Sequence, residues 1–268
     1  MLASDGSPSR GRLGRGIFYC FCVAVLLFLI LPLLVVIPLS FSPSRFFVFP
    51  PSGFSGRWYI DFATNPVWVR ALQNSLLVSV CAALVATLLG TLAAWGLSAS
   101  RSRWAGLAMA LLIAPMAIPI VVIAVSCFLF YSSLGLSGTY VGLIIAHAAL
   151  GLPFVVIAVS ATLKGFNHNL LRAAESLGSP PLRAFVTVAV PVIFPGVLSG
   201  ALFAFAVSFD EAIVALFLTS PLQRTLPVQI FSGMRESITP TITAAATILM
   251  GVSVLLMVIV QRISQTMK

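Results

Sequence analysis

The chain has 268 residues, of which 60% are hydrophobic and 8% charged, and its mean hydropathy is +1.11. A soluble domain has about 25% charged residues, so this composition excludes an ordinary globular enzyme. The net charge of +9 is compatible with nucleic-acid binding, but in so apolar a chain scattered Lys and Arg are typical of topology signals and contacts with lipid head groups. The sequence therefore predicts an all-α, polytopic membrane protein that contacts membrane lipid and binds no nucleic acid.

Six apolar runs are long enough to cross a membrane as helices. They are Ile17–Leu39, Ala71–Leu97, Ala105–Tyr131, Val141–Leu163, Phe194–Leu218 and Thr241–Val260. The first run follows three arginines, as the core of a signal peptide does, but it is longer than such a core and no A-x-A cleavage site follows it. We therefore expect an uncleaved first helix, with residues 1–16 as a cytoplasmic tail and residues 17–268 as the transmembrane domain.

The basic residues are unequally divided between the two sides of six such spans. Ten lie on the side that holds both termini, and five lie on the opposite side. Those five are Arg45, Arg57, Arg70, Arg224 and Arg235. Because cytoplasmic loops are enriched in Lys and Arg, both termini are predicted to be cytoplasmic.

Residues that could perform catalysis are scarce. The sequence has no phosphate-binding Walker loop, no His or Cys pair at metal-ligand spacing and no G-x-S-x-G nucleophile motif. His147, in the fourth run, is either a proton relay or a packing residue; a lone intramembrane histidine is more often hydrogen-bonded within the core. We predict that this chain is not an enzyme and binds no cofactor or metal.

Two local patterns within the runs predict details of helix geometry. Pro115 and Pro119 lie in the third run, where each proline removes a backbone donor and predicts a kink. Gly196 and Gly200 form a G-x-x-x-G spacing at the start of the fifth run, and this spacing permits close approach of a neighbouring helix.

The longest cytoplasmic loop, about residues 164–193, is the most informative segment. Apolar residues recur there at intervals of three and four, namely Leu170, Ala173, Ala174 and Leu177. Asn167 or Asn169 is suited to cap a short helix that contains this stripe, and Gly178 is suited to end it. Such a helix fits a groove on another protein. The alternative is a helix lying on the bilayer surface, which the scarcity of bulky side chains disfavours.

The segment Ala173-Ala174-x-x-Leu177-Gly178, followed by Pro191 and Pro195-Gly196, resembles the EAA motif of permease subunits of binding-protein-dependent ABC importers. The flanking segments Leu163-Lys164-Gly165-Phe166, Ser208-Phe209-Asp210-Glu211 and Thr225-Leu226-Pro227 resemble the second permease subunit of spermidine/putrescine-type importers. The resemblance extends over about residues 17–268. It implies a type I ABC importer fold in the bacterial cytoplasmic (inner) membrane.

The resemblance also implies a function and a set of partners. A permease of this kind passes a small organic solute, cationic or zwitterionic here, while a separate ABC ATPase dimer binds ATP and Mg²⁺ and hydrolyses the ATP. A sister permease and an extracytoplasmic solute-binding protein complete the importer. The loop helix is its coupling helix, and the implied coupling residues are Arg172, Ala173, Ala174, Glu175, Leu177, Gly178 and Pro191. The alternative is a self-sufficient secondary carrier or channel, which normally has ion-coupling charges in several spans.

Two positions depart from the family's pattern. Arg172 stands where a glutamate usually precedes the Ala-Ala pair, and Glu175 lies on the other side of that pair. Polyamine-specific members have an acidic residue after the second proline of the third span, where this chain has Ile120. The identity of the solute is therefore open.

The fifth run contains two adjacent carboxylates, which are costly at membrane depth without a partner or a polar cavity. One interpretation is structural, with Asp210 or Glu211 paired to Arg224, Arg235 or an arginine of the sister subunit. The other places Ser208, Asp210 and Glu211 along the substrate path, with Asp210 attracting a cationic group of the solute. Both interpretations fit the sequence.

Overall fold

A computed structural model of the protein describes residues 8–100, 102–167, 169–236 and 239–266. These residues form helices and no strands. In chain order the helices are α1 (Pro8–Ser40), α2 (Arg57–Thr64), α3 (Pro66–Ala99), α4 (Ala105–Ile113), α5 (Ile120–Ser133), α6 (Tyr140–Leu163), α7 (Asn169–Ser176), α8 (Pro181–Ala184), α9 (Val190–Asp210), α10 (Ile213–Leu218), α11 (Leu226–Glu236) and α12 (Thr241–Thr266). A 3₁₀ turn, Ala114–Ala117, follows α4, and a π-helical segment, Phe185–Ala189, joins α8 to α9.

Within the described residues, five helical segments are long and apolar enough to cross a membrane. They belong to α1, α3, α6, the continuous segment Pro181–Asp210 and α12. The third predicted run forms a bent pair instead, because α4 with its 3₁₀ turn meets α5 at 102°. Pro115 lies in the turn and Pro119 precedes α5, so the helical hydrogen-bond ladder is interrupted twice in five residues. The six predicted runs thus correspond to five helices and one bent pair.

Two predicted helix boundaries need correction. Helix α1 begins at Pro8, so the part of the predicted tail that the structure describes, residues 8–16, is helical. The prediction that one helix continues to Leu218 is wrong, because α9 ends at Asp210 and the chain turns before α10. Glu211 makes that turn with an extended ψ of 118°.

Helix α2, in the loop after α1, was not predicted from the sequence. Trp58 and Phe62 are one turn apart and are both buried on one face of α2. The indole N–H of Trp58 donates to the carbonyl of Ser42 at 2.7 Å. On the same helix, the carboxylate of Asp61 accepts a hydrogen bond from the hydroxyl of Thr241 at 2.6 Å, which joins α2 to the start of α12.

Helices α6 and α9 pack with their backbones in close contact along a face of small residues on α9. That face repeats every four residues and consists of Gly196, Gly200, Ala204 and Ser208. A Cβ atom added to Gly200 would lie 2.9 Å from the Cα of Val155 in α6. At the end of the face, the Oγ of Ser208 lies 2.8 Å from the Nδ1 of His147. The predicted close approach at Gly196 and Gly200 is confirmed.

Helix α3 joins this pair on the other side of Val155. A Cβ atom added to Gly90 of α3 would lie 2.8 Å from the Cβ of Val155, which is fully buried. Helices α3 and α6 run in the same direction, since Tyr140 at the start of α6 bonds Asn74 near the start of α3. Their other ends meet where the rings of Trp95 and Phe166 touch. Helix α7 therefore lies at the end of the bundle opposite Asn74.

We predict that Gly200→Ala destabilises the bundle, because its methyl group would press on the backbone of α6. Overpacking of this kind costs about 1–3 kcal/mol in free energy of unfolding. Gly96→Ala is the matched control, since a Cβ there has no neighbour within 4 Å and an added methyl favours the helix. Thermal unfolding in detergent should show a lower midpoint for Gly200→Ala only. Equal midpoints would contradict the close contact.

Candidate functional site

Helix α7 is closed at both ends by local hydrogen bonds. The side-chain oxygen of Asn167 accepts the backbone N–H of Asn169 at 3.0 Å, so Asn167 caps the start of the helix. At the other end, the N–H of Gly178 donates to the carbonyl of Glu175 at 2.9 Å, and the N–H of Ser179 donates to the carbonyl of Ala174 at 3.1 Å. This pair of bonds is a Schellman motif, which needs a left-handed residue, and Gly178 has φ +88°. The predicted glycine C-cap is confirmed.

One side of α7 faces the bundle and the other is exposed. Leu171 packs against the buried cluster that includes Ala94, Phe166 and Ile193. The predicted apolar stripe lies mostly away from this contact, since Ala173 is exposed, Ala174 is half-buried and the side chain of Leu177 is 89% exposed. The charged residues Arg172 and Glu175 are exposed as well. Helix α7 thus presents an apolar and charged surface that no described residue of this chain covers.

The segments before and after α7 converge on one tryptophan of α3. The ring of Trp95 lies 5.8 Å from that of Phe166, which precedes α7, and 4.7 Å from that of Phe185, which follows α8. Both contacts are edge-to-face, the geometry that aromatic rings prefer. The loop is therefore anchored to α3 at two points. Sequence reasoning missed Trp95, because it lies about 70 residues before the loop and no local pattern links the two.

Pro191, the last of the implied coupling residues, is separate from α7. It lies in the first turn of α9, directly after the π-helical segment, and it is exposed. Proline has no N–H to donate, and it lies next to the π-helical segment, where the regular α-helical hydrogen-bond pattern is already interrupted. Arg172 to Gly178 lie on α7 and its C-terminal cap, whereas Pro191 lies on α9.

The turn between α9 and α10 gives the two carboxylates different roles. The two carboxylate oxygens of Glu211 accept the backbone N–H groups of Ile213 at 3.0 Å and Ala215 at 3.1 Å. Glu211 therefore caps α10, because it bonds two of the first N–H groups of that helix, which have no partner within the helix. The sequence analysis missed this capping role. A prediction that the helix ends at Asp210 would have indicated that Glu211 can cap the next helix.

Asp210 and Ser208 differ in exposure. Asp210 is the last residue of α9, is exposed, and has no hydrogen-bond partner among the described residues. Ser208 is buried and bonded to His147, which agrees with the interpretation of His147 as a packing residue. Neither carboxylate forms an ion pair with Arg224 or Arg235. Of the three predicted path residues, only Asp210 has a charged group without a hydrogen bond or ion pair among the described residues.

Comparison with known proteins identifies the family. The model of the family described as "Binding-protein-dependent transport system inner membrane component" matches residues 86–268. The spermidine/putrescine transport system permease protein PotC of Escherichia coli K12 is 33% identical over 255 residues, which is 95% of each chain. This chain belongs to that family. It is a permease subunit of a binding-protein-dependent ABC importer and a multi-pass inner-membrane protein, as the resemblance predicted.

Further relatives agree with this assignment. The putrescine transport system permease protein PotI of Escherichia coli K12 is 31% identical over 84% of this chain and 82% of its own. Among solved structures, a bacterial ABC transporter involved in the import of the acidic polysaccharide alginate superposes with a TM-score of 0.66, covers 99% of both chains and is 18% identical. A bacterial alginate ABC transporter in complex with an alginate pentasaccharide-bound periplasmic protein superposes with a TM-score of 0.68, covers 95% of this chain and 93% of its own, and is 18% identical. These structures confirm the predicted ABC importer permease fold.

We predict that Glu211→Ala lowers the stability of the permease and that Asp210→Ala leaves it unchanged. The first change removes both acceptors for the start of α10, and loss of such a cap costs about 1–2 kcal/mol. The second removes an exposed carboxylate with no partner among the described residues. Thermal unfolding of the two variants in detergent makes the comparison, with Glu211→Gln expected between them. A larger loss for Asp210→Ala would contradict the capping role.

Proposed function

We propose that this permease forms half of the path by which a small organic cation enters the cytoplasm, and that α7 couples the path to a separate ATPase dimer that holds ATP and Mg²⁺. A sister permease forms the other half, and an extracytoplasmic solute-binding protein delivers the solute. In this proposal both termini and α7 are cytoplasmic, which agrees with the distribution of Lys and Arg.

The observation that carries the coupling role is the exposed surface of α7. A leucine that is 89% exposed at the end of a bundle, on a helix closed by a Schellman motif, is suited to fill a pocket on another protein. Arg172 and Glu175 flank the Ala-Ala pair and are available for ion pairs with the ATPase. Arg172 in place of the usual glutamate presents a positive charge to the ATPase at that position. It leaves the shape of the helix unaffected.

The anchors around Trp95 supply a reason why movement of α7 would reach the path. Phe166 continues α6, and Phe185 leads into α9, so both edges of the loop are attached to long helices. Since both rings also touch α3, displacement of the loop acts on three packed helices together. A coupling of this kind works only when each nucleotide state of the ATPase favours a different arrangement of the permease.

Reconstitution tests the function directly. In liposomes, this permease alone should neither transport solute nor hydrolyse ATP, because it lacks half of the path and the ATPase. With the sister permease, the ATPase and the binding protein, ATP-driven uptake should appear and should require every component. Solute flux driven by an ion gradient through the isolated subunit would instead support the secondary-carrier alternative.

The coupling role predicts that Gly178→Val abolishes ATP-driven uptake by the complete complex. A branched side chain disfavours the left-handed conformation at φ +88°, so the end of α7 should unwind and Leu177 should lose its position. No atom lies within 4 Å of an added Cβ, so the change introduces no clash in the bundle. Gly165→Ala is the control in the same loop, at a glycine without positive φ. Normal uptake by Gly178→Val would argue against docking through α7.

Asp210 supports a cationic solute, because it is an exposed carboxylate at the end of α9 with no partner among the described residues. The relatives PotC and PotI are named for spermidine and putrescine, which makes a diamine or polyamine the first solute class to test. Ile120 lacks the acidic group of polyamine-specific members, so the path of this permease would depend more strongly on Asp210.

We predict that Asp210→Asn lowers solute uptake at least tenfold, since the amide removes the charge and keeps the shape. Assembly, thermal stability and basal ATPase activity should persist, because no bond that stabilises the fold is lost. Asp210→Glu, which keeps the charge, should retain part of the uptake. Uptake is measured with labelled putrescine and spermidine in proteoliposomes. Unchanged uptake would remove Asp210 from the path, and loss of the sister subunit would assign it to the subunit interface.

A further inference from the structure

A cavity of about 220 Å³ opens at the end of the bundle opposite α7. It lies between the first two turns of α3 and the loop that follows α10, and Arg70, Asn74 and Arg224 contribute its polar lining. Two of the five arginines on the extracytoplasmic side of the predicted topology therefore line one small cavity. Among the residues that the structure describes, no Asp or Glu lines it.

Hydrogen bonds hold the backbone of the loop that carries Arg224. The side-chain amide of Asn74 donates to the carbonyls of Leu222 and Arg224, each at 2.9 Å. The hydroxyl of Tyr140 donates to the other end of the Asn74 amide at 2.8 Å. The hydroxyl oxygen of Ser75 accepts the N–H of Leu226 at 2.7 Å. Because Arg70 lies one helical turn before Asn74, this network holds the two arginines on the same cavity.

The two guanidinium groups have no counter-charge within the described residues. Neither has an ion pair or a side-chain hydrogen bond there. Asp61 accepts a hydrogen bond from Thr241 and Glu211 caps α10, and neither these two carboxylates nor that of Asp210 forms an ion pair with either arginine. Two like charges that line one small cavity repel each other, so an anion that enters the cavity stabilises the arrangement. A carboxylate is the anion that matches the paired donors of arginine.

We infer that this cavity receives a carboxylate side chain of the extracytoplasmic solute-binding protein. The inference rests on the proposed function, which supplies both that partner and the outward orientation of the cavity. The proposed solute is a cation, so two arginines repel it and cannot be its binding site. The two arginines attract a carboxylate on the binding protein instead. The same charges would keep a cationic solute away from the rim of the cavity and would steer the binding protein that carries the solute.

The test measures binding of the solute-loaded binding protein to the complete importer in nanodiscs of phosphatidylcholine, which has no net charge. The double variant Arg70→Gln with Arg224→Gln should bind at least tenfold more weakly than the wild type and depend less on salt. The Lys double variant, which keeps both charges, should retain most of the affinity. Arg45→Gln is the control, since it removes an exposed arginine on the same side but outside the cavity.

Occupants of the cavity other than the binding protein would give different results. Unchanged affinity in the Gln double variant overturns the inference, as does a loss of the sister permease, which would place the cavity at a subunit interface. A defect seen only in nanodiscs with anionic lipid overturns it in favour of a lipid head group. Restored binding of Arg224→Glu by an acidic-to-lysine change on the binding protein supports the inference.

If the wild-type importer binds no binding protein at all, the proposed function fails. This outcome is distinct from a failure of the inference about the cavity alone.

Discussion

Close backbone contact between α6 and α9 is the constraint on which the rest of the bundle depends. In a membrane, lipid is as apolar as the side chains, so helices associate through van der Waals packing and a few polar bonds. The small residues of α9 bring its backbone against Val155, and Gly90 brings α3 against the other side of the same residue. The bond between His147 and Ser208 adds one directional contact to this packing. Larger side chains in α9 would separate the helices whose ends position α7 and α10.

The two functional elements are direct extensions of that contact. Helix α7 lies between the end of α6 and the start of α9, and Asp210 is the residue at which α9 stops. The surface proposed for coupling at one end of the bundle and the charge proposed for the solute path near the other are therefore attached to the same pair of helices. The edge-to-face contacts of Trp95 extend this attachment to α3. In the proposed function, this arrangement connects the exposed loop to the solute path directly, and no separate linking domain is needed.

Features set by local sequence were predictable. The spacing of apolar residues indicated α7, and Gly178 was identified as its end because a left-handed C-cap is a local requirement. Apolar runs indicated the long helices because a bilayer demands a minimum length. In contrast, Trp95 and Asn74 act through contacts with residues about 70 to 150 positions away, and no one-dimensional pattern records such contacts. Asp210 and Glu211 look alike in the sequence, and only the turn in the backbone assigns one to the helix cap and leaves the other exposed.

Helix α9 has irregular backbone at both ends and a tightly packed middle. The π-helical segment lies before it, Pro191 lies in its first turn, and the extended residue Glu211 lies after it. Changes of tilt are resisted where α9 touches α6, because a packed helix pair shifts as one body rather than bending. The two ends of α9 thus lack the regular hydrogen-bond pattern that its packed middle keeps. In the proposed coupling, a displacement of α7 would reach Asp210 through this one packed helix, so a single rigid element would relate the state of the ATPase to the solute.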